Sequence, residues 1–174
     1  MQIREATIED AEGIRSVHLQ AFDNSEAQLV SELAVKLLEE NPPVRIISLV
    51  AMEDHKIAAH IAFSPVSLES NEHFGYILAP LAVSPRFQKN KMGSSLVNYG
   101  LDIISNKGSF MVFVYGDPQF YSRFGFSVEL AKEFIPPYRL KFPEGWQALK
   151  LNTTVRPEGG KITCVGSLND PDLW

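Results

Sequence analysis

At 174 residues the chain is long enough for one well-buried core and short for two, so it reads as a single domain over residues 1–174. Hydrophobic residues at 45 % and charged residues at 21 % exclude a disordered or fibrous protein. A net charge of −5 with a pI near 5.4 argues against nucleic-acid binding.

In chain order, Met1 leads straight into QIREATIED with no hydrophobic signal region. The longest apolar runs, ISLVAM and GYILAPLAV, fall short of the about 20 residues a membrane helix needs, which points to a cytoplasmic protein with no membrane partner. QIREA predicts a short strand. Thr7, Glu9 and Asp10 suit the start of a helix whose apolar face carries Ile14, Val17, Leu19 and Phe22. Ser25 opens a second helical pattern through Leu29, Val30, Leu33, Leu37 and Leu38, which Asn41, Pro42 and Pro43 stop. RIISLVAME and KIAAHIAFSPV are β-rich runs joined by Asp54 and His55, a hairpin signal. HFGYILAPLAV follows the polar turn SLESNEH, so an antiparallel meander is expected. From Lys91 to Ser105 the residues Met92, Leu96, Val97, Gly100, Ile103 and Ile104 fall on one helical stripe, with Asn106, Lys107 and Gly108 as its stop. FMVFVYG reads as a fully buried strand parallel to a neighbour, completing a βαβ unit. Asp117 and Pro118 start a short helical segment, and GFSVE is expected to follow as a strand. WQALKLN and KITCVG are expected to be sheet-edge or flanking strands. The one cysteine, Cys164, permits no internal disulfide, fits a reducing compartment and reads as a small buried hydrophobe.

The stretch PRFQKNKMGSSL, Pro85 to Leu96, places Arg86, Lys89 and Lys91 at the start of that third helix. A helix start carries unpaired amides and partial positive charge, so such a loop can cradle phosphate oxygens; an ordinary solvated basic turn has the same residue types. The spacing V-x-P-x-x-Q-x-x-K-x-G-x-S-L from Val83 to Leu96 resembles the acetyl-CoA-binding stretch of the GNAT superfamily of N-acetyltransferases, in which the pattern is Q/R-x-x-G-x-G/A. GDPQFYSRFGF, Gly116 to Phe126, is similar to the family's other recurrent segment in its small bacterial YhbS-like form. The resemblance covers Gln2 to about Glu129, leaving 130–174 as C-terminal strands and loops. One departure stands out: Lys91 occupies the place of the family's first glycine, while Gly93 keeps the second. Glycine permits a positive φ, whereas lysine brings a Cβ and an ammonium that can meet a phosphate.

The resemblance implies a GNAT-like α/β fold: a mixed, mostly antiparallel central sheet flanked by helices, with a central βαβ cofactor-binding unit. It implies acetyl-CoA as cofactor, its pantetheine arm pairing with backbone at Leu81, Ala82 and Val83, and its phosphates held by Gln88, Lys89, Asn90, Lys91, Met92, Gly93 and Ser94. It implies transfer of acetyl to a primary amine by direct attack on the thioester, with Tyr121 as the acid for the departing sulfur; a packed tyrosine with its hydroxyl at the surface is the plainer reading of that residue. FGYILAPLAV has no carboxylate to act as base, which leaves Glu72, His73, Asp23 and Glu26 as nearby acids and bases, each also at home on a solvated surface. His18, His55 and His60 have no metal-ligand spacing, so no metal is expected. A different class of reading is a GNAT-shaped module that binds or senses an acyl-CoA with little or no catalysis. The C-terminal strands either complete the chain's own sheet or pair with a second copy, as a homodimer would.

Overall fold

The computed structural model describes residues 1–69, 73–152 and 158–174. In chain order it runs β1 (Gln2–Glu5), α1 (Ala11–Ala21), α2 (Asn24–Glu39), β2 (Ile47–Glu53), β3 (Lys56–Ser67), β4 (His73–Val83), α3 (Met92–Asn106), β5 (Met111–Tyr115), α4 (Pro118–Tyr121), α5 (Val128–Ala131), β6 (Phe134–Ile135), β7 (Trp146–Lys150) and β8 (Gly160–Lys161). Six strands form one mostly antiparallel sheet in the order β1-β2-β3-β4-β5-β7, and β6 pairs with β8 in a separate parallel ribbon. The residues gather into two compact units, Met1–Phe63 with Pro80–Leu101 and Ser64–Ala79 with Asp102–Trp174.

In the first unit, Asp54 and His55 take φ values of 49° and 62° and turn β2 back antiparallel onto β3. A two-residue turn with both φ positive matches the twist of the strands it joins. Cross-strand partners share a face, so Val50 and His60 lie together; Ile14 of α1 and Ala34 of α2 pack with Val50. The buried residues of α1 are Ile14, Val17 and His18. Leu19, expected on the apolar face, is 41 % exposed, because five residues past Ile14 is about 140° around the helix, whereas His18 is one turn away. Phe22 caps the end of α1 and its ring stacks on that of His18 at 6.0 Å. On α3, Met92, Leu96, Val97, Gly100 and Leu101 are buried, and a side chain at Gly100 would run into the ring of Phe63.

In the second unit, β4 and β5 run parallel from Gly75↔Met111 to Leu78↔Val114. Two residues on, Pro80 has no N–H to continue a ladder. Gly108, with φ 75°, ends α3 in the left-handed conformation. The core is aromatic: Phe113 lies 5.8 Å from Phe74, 5.1 Å from Phe134 and 5.3 Å from Trp146, ring to ring. Each such pair adds about 0.5–1.5 kcal/mol to the burial itself. β7 runs antiparallel to β5 and takes the edge of the sheet, so this C-terminal strand completes the chain's own sheet.

Two expectations fail here. GFSVE is not a strand: Ser127 bridges to Ala148 alone, and its hydroxyl then accepts from the Glu129 N–H at 3.1 Å, capping α5. A serine that can satisfy a free helix amide turns the following residues helical. Of KITCVG only Lys161 belongs to a strand, with Thr163 forming an isolated bridge to Ser67.

Candidate functional site

Leu81, Ala82 and Val83 form the end of β4. Ala82 is buried, whereas Leu81 and Val83 are half-buried, so the side chains serve packing and the backbone is what this strand end can offer a ligand. The side-chain amide of Gln88 donates to the Val83 carbonyl at 3.2 Å and closes the intervening loop onto the strand. Gln88, Lys89, Asn90 and Lys91 are all exposed. Lys89 and Lys91 hold φ values of 66° and 60°. The position where the family has glycine therefore keeps the glycine-like backbone although it carries a lysine. The first helical bond of α3 runs from the Ser95 N–H to the Lys91 carbonyl at 2.9 Å, and the Ser95 hydroxyl donates to the same oxygen at 3.1 Å. By helix geometry the amides of Met92, Gly93 and Ser94 lie ahead of that bond without a helical acceptor. Met92 itself is buried, which leaves its N–H as its contribution. Three amides at a helix start, preceded by a loop that carries Arg86, Lys89 and Lys91, suit phosphate oxygens. The pyrophosphate of a coenzyme A fits this donor set.

Tyr121 ends α4, a single turn that Asp117 caps by accepting from the Gln119 N–H at 2.9 Å. The Tyr121 N–H donates to the Asp117 carbonyl at 3.1 Å. Its ring meets Phe120 edge-on at 4.9 Å and Phe126 at 5.8 Å, and a side chain at Gly116 would come within 2.6 Å of its Cε2. Burial, with the nearby Asp117 charge second, raises the phenol above its usual value of 10.0. It thus stays protonated and able to donate at any ordinary pH.

Asp23 and Glu26 are exposed at the start of α2. Glu72 lies outside the described residues. His73 is half-buried against the ring of Tyr76, 5.2 Å away, and burial lowers its imidazole against the opposing effect of the Val66 backbone. His18 and His60, separate in sequence, come together: His18 Nε2 and His60 Nδ1 share a hydrogen bond of 2.8 Å, and His60 Nε2 bonds Ser48 Oγ at 2.9 Å. His18 Nδ1 has no partner. If His18 donates to His60 and His60 to Ser48, only a lone pair is left bare, which costs less than a buried N–H. Burial holds both imidazoles neutral, His18 down to about 3 and His60 well below the usual 6.5. No sequence signal links residues 18 and 60, which only the fold brings together. Among the described residues no group of three or more His, Cys, Asp or Glu side chains could hold a metal, and no helix is long and apolar enough to cross a membrane. Cys164 is buried, with its thiol pushed up to about 12.

The sequence model of the acetyltransferase (GNAT) domain matches residues 2–128. The uncharacterized N-acetyltransferase YjhQ of Escherichia coli K12 is 32% identical over 170 residues, covering 94% of this chain and 89% of YjhQ. The uncharacterized N-acetyltransferase YhbS of the same strain is 33% identical over 121 residues, 68% of this chain and 69% of YhbS. Among solved structures, the E. coli GNAT family N-acetyltransferase YhbS in complex with CoA superimposes with a TM-score of 0.83 at 28% identity, covering 97% of this chain and 92% of that one. A GNAT family acetyltransferase from Brucella melitensis in complex with acetyl-CoA gives 0.75 at 27% identity, covering 97% of each. With a family domain spanning most of its length and a relative this similar over nearly all of it, the chain belongs to the GNAT acetyltransferase family.

Proposed function

We propose that the chain is a cytoplasmic N-acetyltransferase that binds acetyl-CoA through Leu81–Val83 and the loop from Gln88 to Ser94 and transfers the acetyl group to a primary amine. The observation that carries this reading is the left-handed backbone at Lys91, a conformation that favours glycine, directly ahead of the first amides of α3. When bound, acetyl-CoA supplies an acetyl thioester, at whose carbonyl carbon the amine replaces the thiol. The Met92, Gly93 and Ser94 amides bind phosphate oxygens, with Lys91 adding its charge. Backbone groups of Leu81–Val83 pair with the pantetheine amides and orient the thioester. The Tyr121 phenol would protonate the departing sulfur, and the proton shed by the attacking nitrogen would return to the phenolate through water. The amine must arrive neutral: at pH 7 this costs about 4.6 kcal/mol for a lysine-like amine and about 1.4 kcal/mol for an amine of pKa near 8. With no carboxylate on Phe74–Val83 to take the proton, the weaker base is the better acceptor.

The test is calorimetric titration of acetyl-CoA into the protein and into Gln88→Ala and Lys91→Gly, followed by thioester turnover with primary amines. Binding by the wild type, weakened in Gln88→Ala, with turnover that Tyr121→Phe reduces, supports the enzyme. Binding without turnover on any amine makes the chain an acyl-CoA-binding module. Absent binding, restored in Lys91→Gly, removes the donor site and the enzyme reading with it.

A further inference from the structure

The segment Phe142–Gln147 lies beyond the residues matched by the family domain, and it ties down the turn that carries Tyr121. The Phe142 N–H donates to the Tyr115 phenol oxygen at 2.9 Å, the Gly145 N–H to the Phe142 carbonyl at 2.8 Å, and the Gly116 N–H to the Gly145 carbonyl at 3.0 Å. Gln147 closes the set: its side-chain amide donates to the carbonyls of Gly116 and Gly145, each at 3.2 Å. The Gly116 residue is therefore held from both its N–H and its carbonyl. The ring of Tyr121 rests on that same glycine, close enough that an added Cβ would meet Cε2 at 2.6 Å.

Gln147 is 1 % exposed, between the buried Trp146 and Ala148 on β7. An amide is a poor choice for packing alone, since burying it forfeits hydration that an apolar side chain of similar volume never had. Its value lies in the two carbonyls it reaches. We propose that Gln147 is a positioning residue for the acetyl transfer: by fixing the Gly116 residue under the ring of Tyr121, it sets where the phenol hydroxyl points. The inference rests on Tyr121 acting as the acid for the leaving sulfur.

The experiment uses the full chain, labelled with [13Cζ]tyrosine, in the wild type, Gln147→Met, Tyr121→Phe and the double variant. Thiol release from acetyl-CoA is measured with glycinamide, a primary amine of pKa near 8, as the acceptor probe. Misplacing a catalytic group by a fraction of an ångström lowers kcat by about tenfold, whereas the acetyl-CoA dissociation constant, set elsewhere, should change less than about twofold. In Gln147→Met the Tyr121 resonance, assigned by its loss in Tyr121→Phe, should shift while those of Tyr76, Tyr99 and Tyr138 stay. Adding Gln147→Met to Tyr121→Phe should lower kcat no further. An unmoved Tyr121 resonance, or an equal fall in kcat with and without the phenol hydroxyl, overturns the proposal. A Tyr121→Phe variant that keeps its kcat overturns the acid reading and this one with it, and so separates the two failures. If Gln147→Met does not fold, Gln147→Glu serves: it keeps the length, and as pH falls its buried carboxyl regains one donor, so the Tyr121 resonance should return toward its wild-type position.

Discussion

Lys91 holds a backbone conformation that costs a residue with a Cβ about 1–2 kcal/mol relative to glycine. Lys91→Gly removes that strain but loosens the unfolded chain by about 0.5–1 kcal/mol, so denaturant unfolding should show a net gain of up to about 1.5 kcal/mol. The lysine that fills this place instead offers an ammonium, and the part of acetyl-CoA affinity it supplies should fade as salt rises. For Tyr121 the expectation concerns rate. Tyr121→Phe should lower kcat by about a hundredfold and leave the acetyl-CoA dissociation constant unchanged, as measured by turnover and calorimetry. Because burial holds this phenol above 10.0, its proton is retained across the assay range. The rate at subsaturating amine should therefore rise with pH, as the acceptor loses its proton, with no alkaline fall below pH 10. A fall in that range would assign the acid to some other group.

Among the elements, α5 hangs on one cap. Ser127→Ala removes the acceptor for the Glu129 N–H and should cost about 1 kcal/mol, read as a lower melting temperature. The same serine explains why GFSVE misleads as a sequence: its alternation suggests a strand, and Ser127 does bridge to Ala148, but the hydroxyl then starts a helix. Local punctuation made several other elements readable. Asp54 and His55 mark the β2–β3 turn, Asn41–Pro43 stop α2, and Gly108 stops α3, because each acts within a few residues of itself. In the candidate site, spacing alone pointed to Gln88 and Gly93, which lie in the loop before α3 and in its first turn. The Gln147 bonds to Gly116 and the His18–His60 bond were not legible, since they join residues 31 and 42 positions apart and have no local signature. Lys91 was legible as a departure from the family pattern; that its backbone would keep the glycine-like φ was not.

For the whole molecule, acid is the revealing condition. His18 and His60 are neutral when folded and take up protons near pH 6.5 when unfolded, because burial lowers both in the native state. Their folded pKa values lie below the unfolded one, so their contribution is fully present above pH 6.5 and is lost as pH falls toward the folded values. The slope is about 1.4 kcal/mol per pH unit for each imidazole. Asp10, which the hydrogen bond from Arg4 lowers to about 2, adds a second loss below 3.8. Urea midpoints between pH 7 and pH 4 should therefore fall, and fall less steeply in His60→Gln, whose amide does not titrate. A flat profile in the wild type would mean the imidazoles are accessible to water.

The way the chain divides between its two units bears on its birth. Neither unit is a continuous stretch: the first needs Met1–Phe63 and Pro80–Leu101, the second Ser64–Ala79 and Asp102–Trp174. During synthesis the first can close once Leu101 has left the ribosome. The strand halves within Ser64–Ala79 emerge earlier, yet β5, the neighbour of β4, and β7 beyond it lie within the roughly fifty residues that follow Leu101 out of the ribosome, a wait of about 2–10 s at ordinary elongation rates. For that interval the nascent chain shows unpaired strand edges, so a ribosome stalled past Leu101 leaves a fragment with one finished half and an adhesive one.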